Sequence, residues 1–132
     1  MTRHLPMPLW LDEGIAVCTE NYITGYSYPM LDQQMHNRHV RFWSEKTIQE
    51  FWSDRAFSRT DEGQELSYHL AQFMVNSLSQ DYEGFVDFVT NASFNDGGES
   101  ALNEIFDASL VYLIEPVLGE GQWLPKPKSW SI

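Results

Sequence analysis

Glu13 is the residue whose type and surroundings most favour chemistry in this sequence. It lies in residues 9–18, a run that is apolar nearly all round and is therefore predicted to be a buried helix. An unpaired carboxylate in apolar surroundings costs several kcal/mol, so Glu13 requires a cation or several hydrogen-bond donors. The adjacent Gly14 costs about 1 kcal/mol of helix propensity, which indicates that another element packs closely there. The pattern is that of a metal ligand on a helix. The simpler alternative is a salt bridge to an arginine or a cap on a neighbouring helix end.

Residues 8–16, Pro-Leu-Trp-Leu-Asp-Glu-Gly-Ile-Ala, resemble the third-ligand segment of gluzincin-type zinc peptidases, specifically the peptidase-MA-like group. In that family an H-E-x-x-H helix supplies two histidines and the general-base glutamate, and a later helix supplies a glutamate as third zinc ligand. The resemblance implies that Glu13 is this zinc ligand and that the intact domain hydrolyses peptide bonds with zinc as cofactor. Weaker similarity covers residues 66–75 and 85–119, which resemble the helices that pack behind and close the site.

The sequence departs from this family at the most important point, since no H-E-x-x-H occurs in residues 1–132. Two zinc ligands and the general base are missing, and a lone glutamate does not hold zinc. We therefore expect the chain to be inactive alone and to carry no cofactor. It is either the C-terminal portion of a longer peptidase-like protein or a remnant that kept the scaffold. A start at Met1, just before the motif, fits truncation, a late start codon and gene decay equally.

His69 and Tyr22 are further candidates for a role near Glu13. The resemblance places the helix of His69 behind the metal, where a histidine can orient a ligand by hydrogen bonding. A hydrogen-bonded, half-buried core histidine is the simpler interpretation. Tyr22 has the phenol needed to stabilise an oxyanion, although tyrosines in such loops, including Tyr26 and Tyr28, usually only pack.

His36, His39 and Cys18 complete the chemically capable residues. The two histidines are spaced to share a helix face, but the interleaved Arg38 and Arg41 disfavour a metal, so a solvated or partner-facing pair is expected. Cys18 is the only cysteine and lies in the apolar run, which predicts a buried, inert thiol.

The elements that must position these residues are predicted to be helices, in a single all-α domain over residues 1–132. Residues 1–21 form the segment of the first helix, which begins at Pro8 and runs to about Asn21. A loop and short helices follow over 22–60, and an extended tail spans 119–132. The helical core over 61–118 contains the longest helix, predicted at 62–79 with Thr60 or Asp61 as its cap, and a second helix capped by Asp81. Apolar spacing places six residues in one core: Trp10, Ile15, Val17, Leu70, Phe73 and Phe88.

The amino-acid composition and net charge disfavour some classes of binding partner. The chain has 8 Lys and Arg against 19 Asp and Glu, a net charge of −11, which disfavours nucleic acid and anionic membrane surfaces. No stretch approaches the roughly 20 apolar residues of a membrane span, so we expect a cytoplasmic protein, unless an upstream segment redirects it. The competing function is a non-catalytic acidic helical module that binds a protein or peptide.

The missing H-E-x-x-H helix also predicts an uncovered apolar groove, with self-association as one consequence. Its expected lining is Leu9, Glu13, Ala16 and Val17.

Overall fold

The computed structural model describes residues 7–25 and 31–130, and within these ranges the chain is helical with no strand. This confirms the predicted all-α class. The helices are α1 (Leu9–Thr24), α2 (Gln33–Phe42), α3 (Thr47–Trp52), α4 (Glu62–Leu78), α5 (Tyr82–Asn91), α6 (Glu99–Phe106) and α7 (Leu110–Leu118), with 3₁₀ turns at Arg55–Ser58, Phe94–Asp96 and Pro127–Ser129.

Short polar side chains start most of these helices, because their oxygens accept hydrogen bonds from backbone N–H groups that have no partner inside the helix. Asp61 accepts from the N–H of Gly63 at 2.9 Å, and Asp81 accepts from Gly84 at 3.2 Å. Both predicted caps are confirmed, with Asp61 rather than Thr60 capping α4.

The core is built around α4, against which α1 packs along its length. Trp10 lies at its aromatic centre, with ring centroids 6.3 Å from Trp52 and 6.1 Å from Phe88. Its indole N–H donates to the carbonyl of Gly97 at 2.9 Å, so even the polar atom of this ring is satisfied.

The predicted core is correct for three of its six residues. Trp10, Leu70 and Phe88 are fully buried as predicted. Ile15, Val17 and Phe73 are only half-buried. They lie at the edges of their helical stripes, where one side of the residue still meets water.

Two predictions about α1 are wrong. It is not buried all round, because Asp12, Ala16 and Glu20 are exposed on one side. It also continues beyond residue 21, through what was predicted to be a loop, and ends at Thr24 before Gly25. Gly25 has a φ of 77°, in the left-handed region where glycine ends helices without strain.

The C-terminal segment is non-helical for most of its length, as predicted, but it is anchored to the core. The side-chain amide of Gln49 donates to the carbonyl of Leu124 at 2.8 Å and accepts from the N–H groups of Lys126 and Trp130 at 2.7 and 2.9 Å. Trp123 is buried beside it. Residues 119–130 therefore belong to the domain.

None of the helices in residues 7–25 and 31–130 is long and apolar enough to cross a membrane.

Candidate functional site

Glu13 lies half-buried on α1, away from the face that carries Trp10, Leu11 and Gly14 into the core. Within the described residues its carboxylate makes no hydrogen bond and no ion pair, so neither the arginine salt bridge nor the helix cap is present there. The expectation of a carboxylate enclosed by apolar side chains is wrong, because the fully buried residues of α1 are Trp10, Leu11 and Gly14 and Glu13 itself is only half-buried.

Gly14 fixes the position of Glu13 by allowing α1 to lie against α4. A Cβ atom at Gly14 would come within 2.5 Å of Val75 Cγ2 and 2.8 Å of the carbonyl oxygen of Ala71. The predicted close approach is therefore confirmed. Asn21 strengthens the same contact, since its amide donates to Gln72 Oε1 at 3.2 Å.

Tyr68 on α4 is the neighbour of Glu13 that the sequence did not single out. Burial raises the pKa of the Tyr68 phenol, and the negative charge of Glu13 raises it further. The ring of Tyr68 is held edge-on against Phe57, with centroids 5.2 Å apart. A carboxylate and a phenol thus occupy one side of the contact between α1 and α4.

The predicted histidine candidates meet in the interior. Trp43 Nε1 donates to His39 Nδ1 at 3.0 Å, and His39 Nε2 lies 3.0 Å from His69 Nδ1. Because an indole nitrogen only donates, His39 accepts at Nδ1, carries its proton on Nε2 and donates to His69. Both nitrogens of His39 are therefore engaged.

The prediction that His39 is solvated is wrong, and the prediction for His69 is correct in its hydrogen bonding but not in its burial. His39 is fully buried rather than solvated, because α2 packs its side against α4 and α7. Burial lowers the pKa of His39 to about 3, with smaller contributions from the charges of His69, Arg38 and His36. His69 is hydrogen-bonded as expected, but buried rather than half-buried.

Tyr22 is not near Glu13. It follows nine residues later on the same helix, about two and a half turns, and so lies on the opposite side of α1. It is 82% exposed. The other loop tyrosines considered, Tyr26 and Tyr28, lie outside the described residues.

Tyr22 lines an open groove of about 420 Å³ that the sequence did not predict in this position. The expected groove used Leu9, Glu13, Ala16 and Val17, whereas this one runs along the opposite side of α1. It is formed by α1, the end of α4 and the start of α5, with the lining residues Ile15, Cys18, Thr19, Tyr22, Val75, Ser79, Tyr82 and Phe85.

Cys18 is half-buried rather than buried in this groove wall. Its thiol points to the carbonyl of Gln72 at 3.9 Å, and burial raises its pKa. A raised pKa keeps the sulfur protonated and unreactive near neutral pH, which agrees with the predicted inert thiol.

No group of three or more His, Cys, Asp and Glu side chains among residues 7–25 and 31–130 is arranged to hold a metal ion. Glu13 is consequently one ligand at most. The described residues do not form a complete zinc site.

Comparison with known proteins returns no family whose model matches the chain, no curated protein and no solved structure similar to it. The relationship to gluzincin peptidases therefore stays a hypothesis based on the motif around Glu13.

Proposed function

We propose that this chain is the helical C-terminal part of a gluzincin-like metallopeptidase domain. In this proposal Glu13 supplies one zinc ligand and the chain does not catalyse hydrolysis alone. Zinc-assisted hydrolysis of a peptide bond requires an H-E-x-x-H segment from outside the 132 residues. The supporting observation is the half-buried carboxylate of Glu13, which makes no hydrogen bond or ion pair within the described residues. It lies on a helix that Gly14 allows to pack closely against α4.

The environment of Glu13 favours a ligand over a residue that only stabilises the fold. A structural glutamate in a helix contact is ordinarily paired, because an unpaired carboxylate gains nothing from partial burial. Glu13 has no such partner in the described part of the chain, and Tyr68 beside it adds a hydrogen-bonding phenol. Both groups are consistent with one edge of a site that another segment completes.

Zinc titration of the purified chain tests this proposal. We expect binding no tighter than that of an exposed histidine pair, because only one of three protein ligands is present. A stoichiometric, submicromolar zinc site that Glu13→Ala abolishes would show that the chain holds a complete site and would overturn the proposal of an incomplete one.

The reading frame upstream of Met1 provides the second test. If it encodes an in-frame H-E-x-x-H, the longer protein should contain one zinc ion and cleave a peptide substrate. Glu13→Gln should then lose both properties, while Glu20→Gln, an exposed carboxylate on the same helix, should keep them. A longer protein that binds zinc equally well with Glu13→Gln would contradict the assignment.

A non-catalytic acidic interaction module is the second candidate function. It is favoured by large apolar side chains left exposed beside the groove, in particular Tyr22, Ile23 and Tyr82. Exposed aromatics concentrated at a groove are typical of protein-binding surfaces.

A further inference from the structure

The groove between α1 and α5 has apolar walls and an aromatic rim. Ile15, Val75 and Phe85 form its walls, and Tyr22 and Tyr82 stand at its edges with 82% and 71% of their surface exposed. The hydroxyls of Thr19 and Ser79 and the thiol of Cys18 add polar groups to the lining, beside the hydroxyls of the two tyrosines. Such a groove suits apolar side chains presented by a partner.

The apolar surface continues beyond the groove on both helices. Ile23 follows Tyr22 on α1 and is 77% exposed, and Val86 lies one turn after Tyr82 on α5 and is 43% exposed. Four of the seven large apolar side chains exposed in the described residues therefore lie on these two helices. These exposed side chains add apolar surface to both helices that border the groove.

Charge is strongly segregated along the chain. None of the 8 Lys and Arg lies in α1 or in residues 60–125, whereas 12 of the 19 Asp and Glu lie in residues 60–125. The acidic residues of that segment are Asp61, Glu62, Glu65, Asp81, Glu83, Asp87, Asp96, Glu99, Glu104, Asp107, Glu115 and Glu120.

Within the described residues, no lysine or arginine pairs with an acidic side chain of the two groove helices. The ion pairs there involve Arg38, Arg59 and Lys126, and none reaches α1 or α5. Glu83, which follows the lining residue Tyr82 on α5, is exposed. The apolar groove therefore lies in a field of one sign, which attracts a cationic partner and repels an anionic one.

We propose that this groove binds a cationic amphipathic segment of another protein. Its apolar side chains enter between Ile15, Val75 and Phe85, and its lysines or arginines face the exposed acidic residues of α5. This names the partner class for the second candidate function above, and it is independent of the zinc role of Glu13.

A second copy of this chain is a poorer occupant. Each copy carries a net charge of −11 and would present a groove of the same sign. Facing grooves would repel one another, and their apolar area would have to offset that repulsion. A partner of opposite charge gains from both terms.

The test uses the full chain and a fluorescein-labelled peptide of leucine and lysine, about five helical turns long, with leucines on one face. Fluorescence anisotropy should show saturable binding. Tyr82→Ser should weaken it about tenfold, as truncation of an aromatic that contacts a partner can do. Tyr112→Ser is the matched control, since Tyr112 is 67% exposed on α7, away from the groove, and it should leave the affinity unchanged.

Two further comparisons separate the apolar and charge contributions. A peptide of the same composition with its apolar face scrambled should bind at least about tenfold more weakly. Glu83→Gln should weaken binding about twofold to threefold, and added salt should weaken it further. Glu13→Gln should bind like the wild type, so failure of the zinc proposal would not affect this result.

The proposal is overturned if the scrambled peptide binds equally well or if Tyr82→Ser has no effect in a variant whose dichroism spectrum is unchanged. Sedimentation equilibrium supplies the remaining outcome. A dimer that forms with rising concentration and is lost in Tyr82→Ser would identify the occupant as a second copy and not a cationic partner.

Discussion

At the scale of single residues, the most constrained polar groups are in the interior series of Trp43, His39 and His69. The indole N–H can only donate, so it sets the tautomer of His39, and His39 in turn donates to His69. Adding a proton to His39 would place a second donor opposite the indole N–H. The series is therefore stable only while His39 is neutral.

We predict that His39 makes the protein sensitive to acid. Its pKa is about 3 when folded, against 6.5 for an unperturbed histidine, so the unfolded chain binds more protons between these values. The contribution of His39 to the free energy of unfolding is complete above about pH 6.5 and is lost as pH falls toward 3. The expected loss between about pH 7 and pH 4 is about 3 kcal/mol.

Urea unfolding at a series of pH values measures this loss. His39→Gln should flatten the profile, because an amide can accept from Trp43 and donate to His69 without titrating. His36→Gln, on the same helix, is the control for removing a histidine. An unchanged acid profile in His39→Gln would refute the assignment.

Asp54 contributes in the opposite direction. Burial raises its pKa to about 6, partly offset by a hydrogen bond from the N–H of Leu9, and its Oδ1 has no hydrogen-bond partner in the described residues. Because the folded pKa lies above the 3.8 of an unperturbed aspartate, the ionised group destabilises the fold near neutral pH. This penalty disappears as pH falls below about 6.

Asp54→Asn should therefore raise the free energy of unfolding by about 1–2 kcal/mol near pH 7 and by nothing near pH 4. Asparagine tolerates the φ of 80° at this position. Asp107→Asn is the matched control, since Asp107 also has a positive φ of 54° but is exposed. An equal gain in both variants would show that burial of the carboxylate is not the cause.

At the scale of elements, the contact between α1 and α4 positions both the surroundings of Glu13 and the groove between α1 and α5. It brings Glu13 beside Tyr68 on one side and places Ile15 and Cys18 in the groove wall on the other. The contact depends on the absence of a side chain at Gly14, because Val75 and the backbone of Ala71 occupy that space. A change in this one contact should move both surfaces together.

Gly14→Ala tests the contact. Its helix propensity alone would stabilise α1 by about 1 kcal/mol. Overpacking against Val75 and Ala71 should outweigh this and lower the free energy of unfolding by about 1–3 kcal/mol. Urea unfolding measures the difference, and Val75→Ala in the same background should recover part of the loss by removing the closer atom. A net gain in stability from Gly14→Ala would show that the helices do not approach so closely.

At the scale of the whole molecule, charge and apolar surface are distributed unevenly. Apart from Arg3, the lysines and arginines lie in residues 38–59 and 126–128, and Arg38 and Arg59 pair with carboxylates at the start of α4. Around α1 and α5, exposed aromatics accompany acidic side chains that make no ion pair among the described residues. This polarity is the reason that the peptide experiment distinguishes a cationic partner from self-association.

The sequence by itself determined the all-α class, the caps at Asp61 and Asp81, and the burial of Trp10, Leu70 and Phe88. These features depend on local rules, namely apolar spacing and the hydrogen-bonding of short polar side chains to nearby N–H groups. The close approach at Gly14 was also predictable, because glycine inside a helix costs stability unless another element uses the space.

Only the tertiary structure decided which polar groups meet. His39 and His69 are 30 residues apart, and Gln49 reaches a segment 75 or more residues later, so no local pattern predicts either contact. The same holds for Glu13 and Tyr68, and for the side of α1 on which the groove lies. These pairings follow from the packing of α1 and α2 on α4, and that packing depends on side chains distributed over the whole chain.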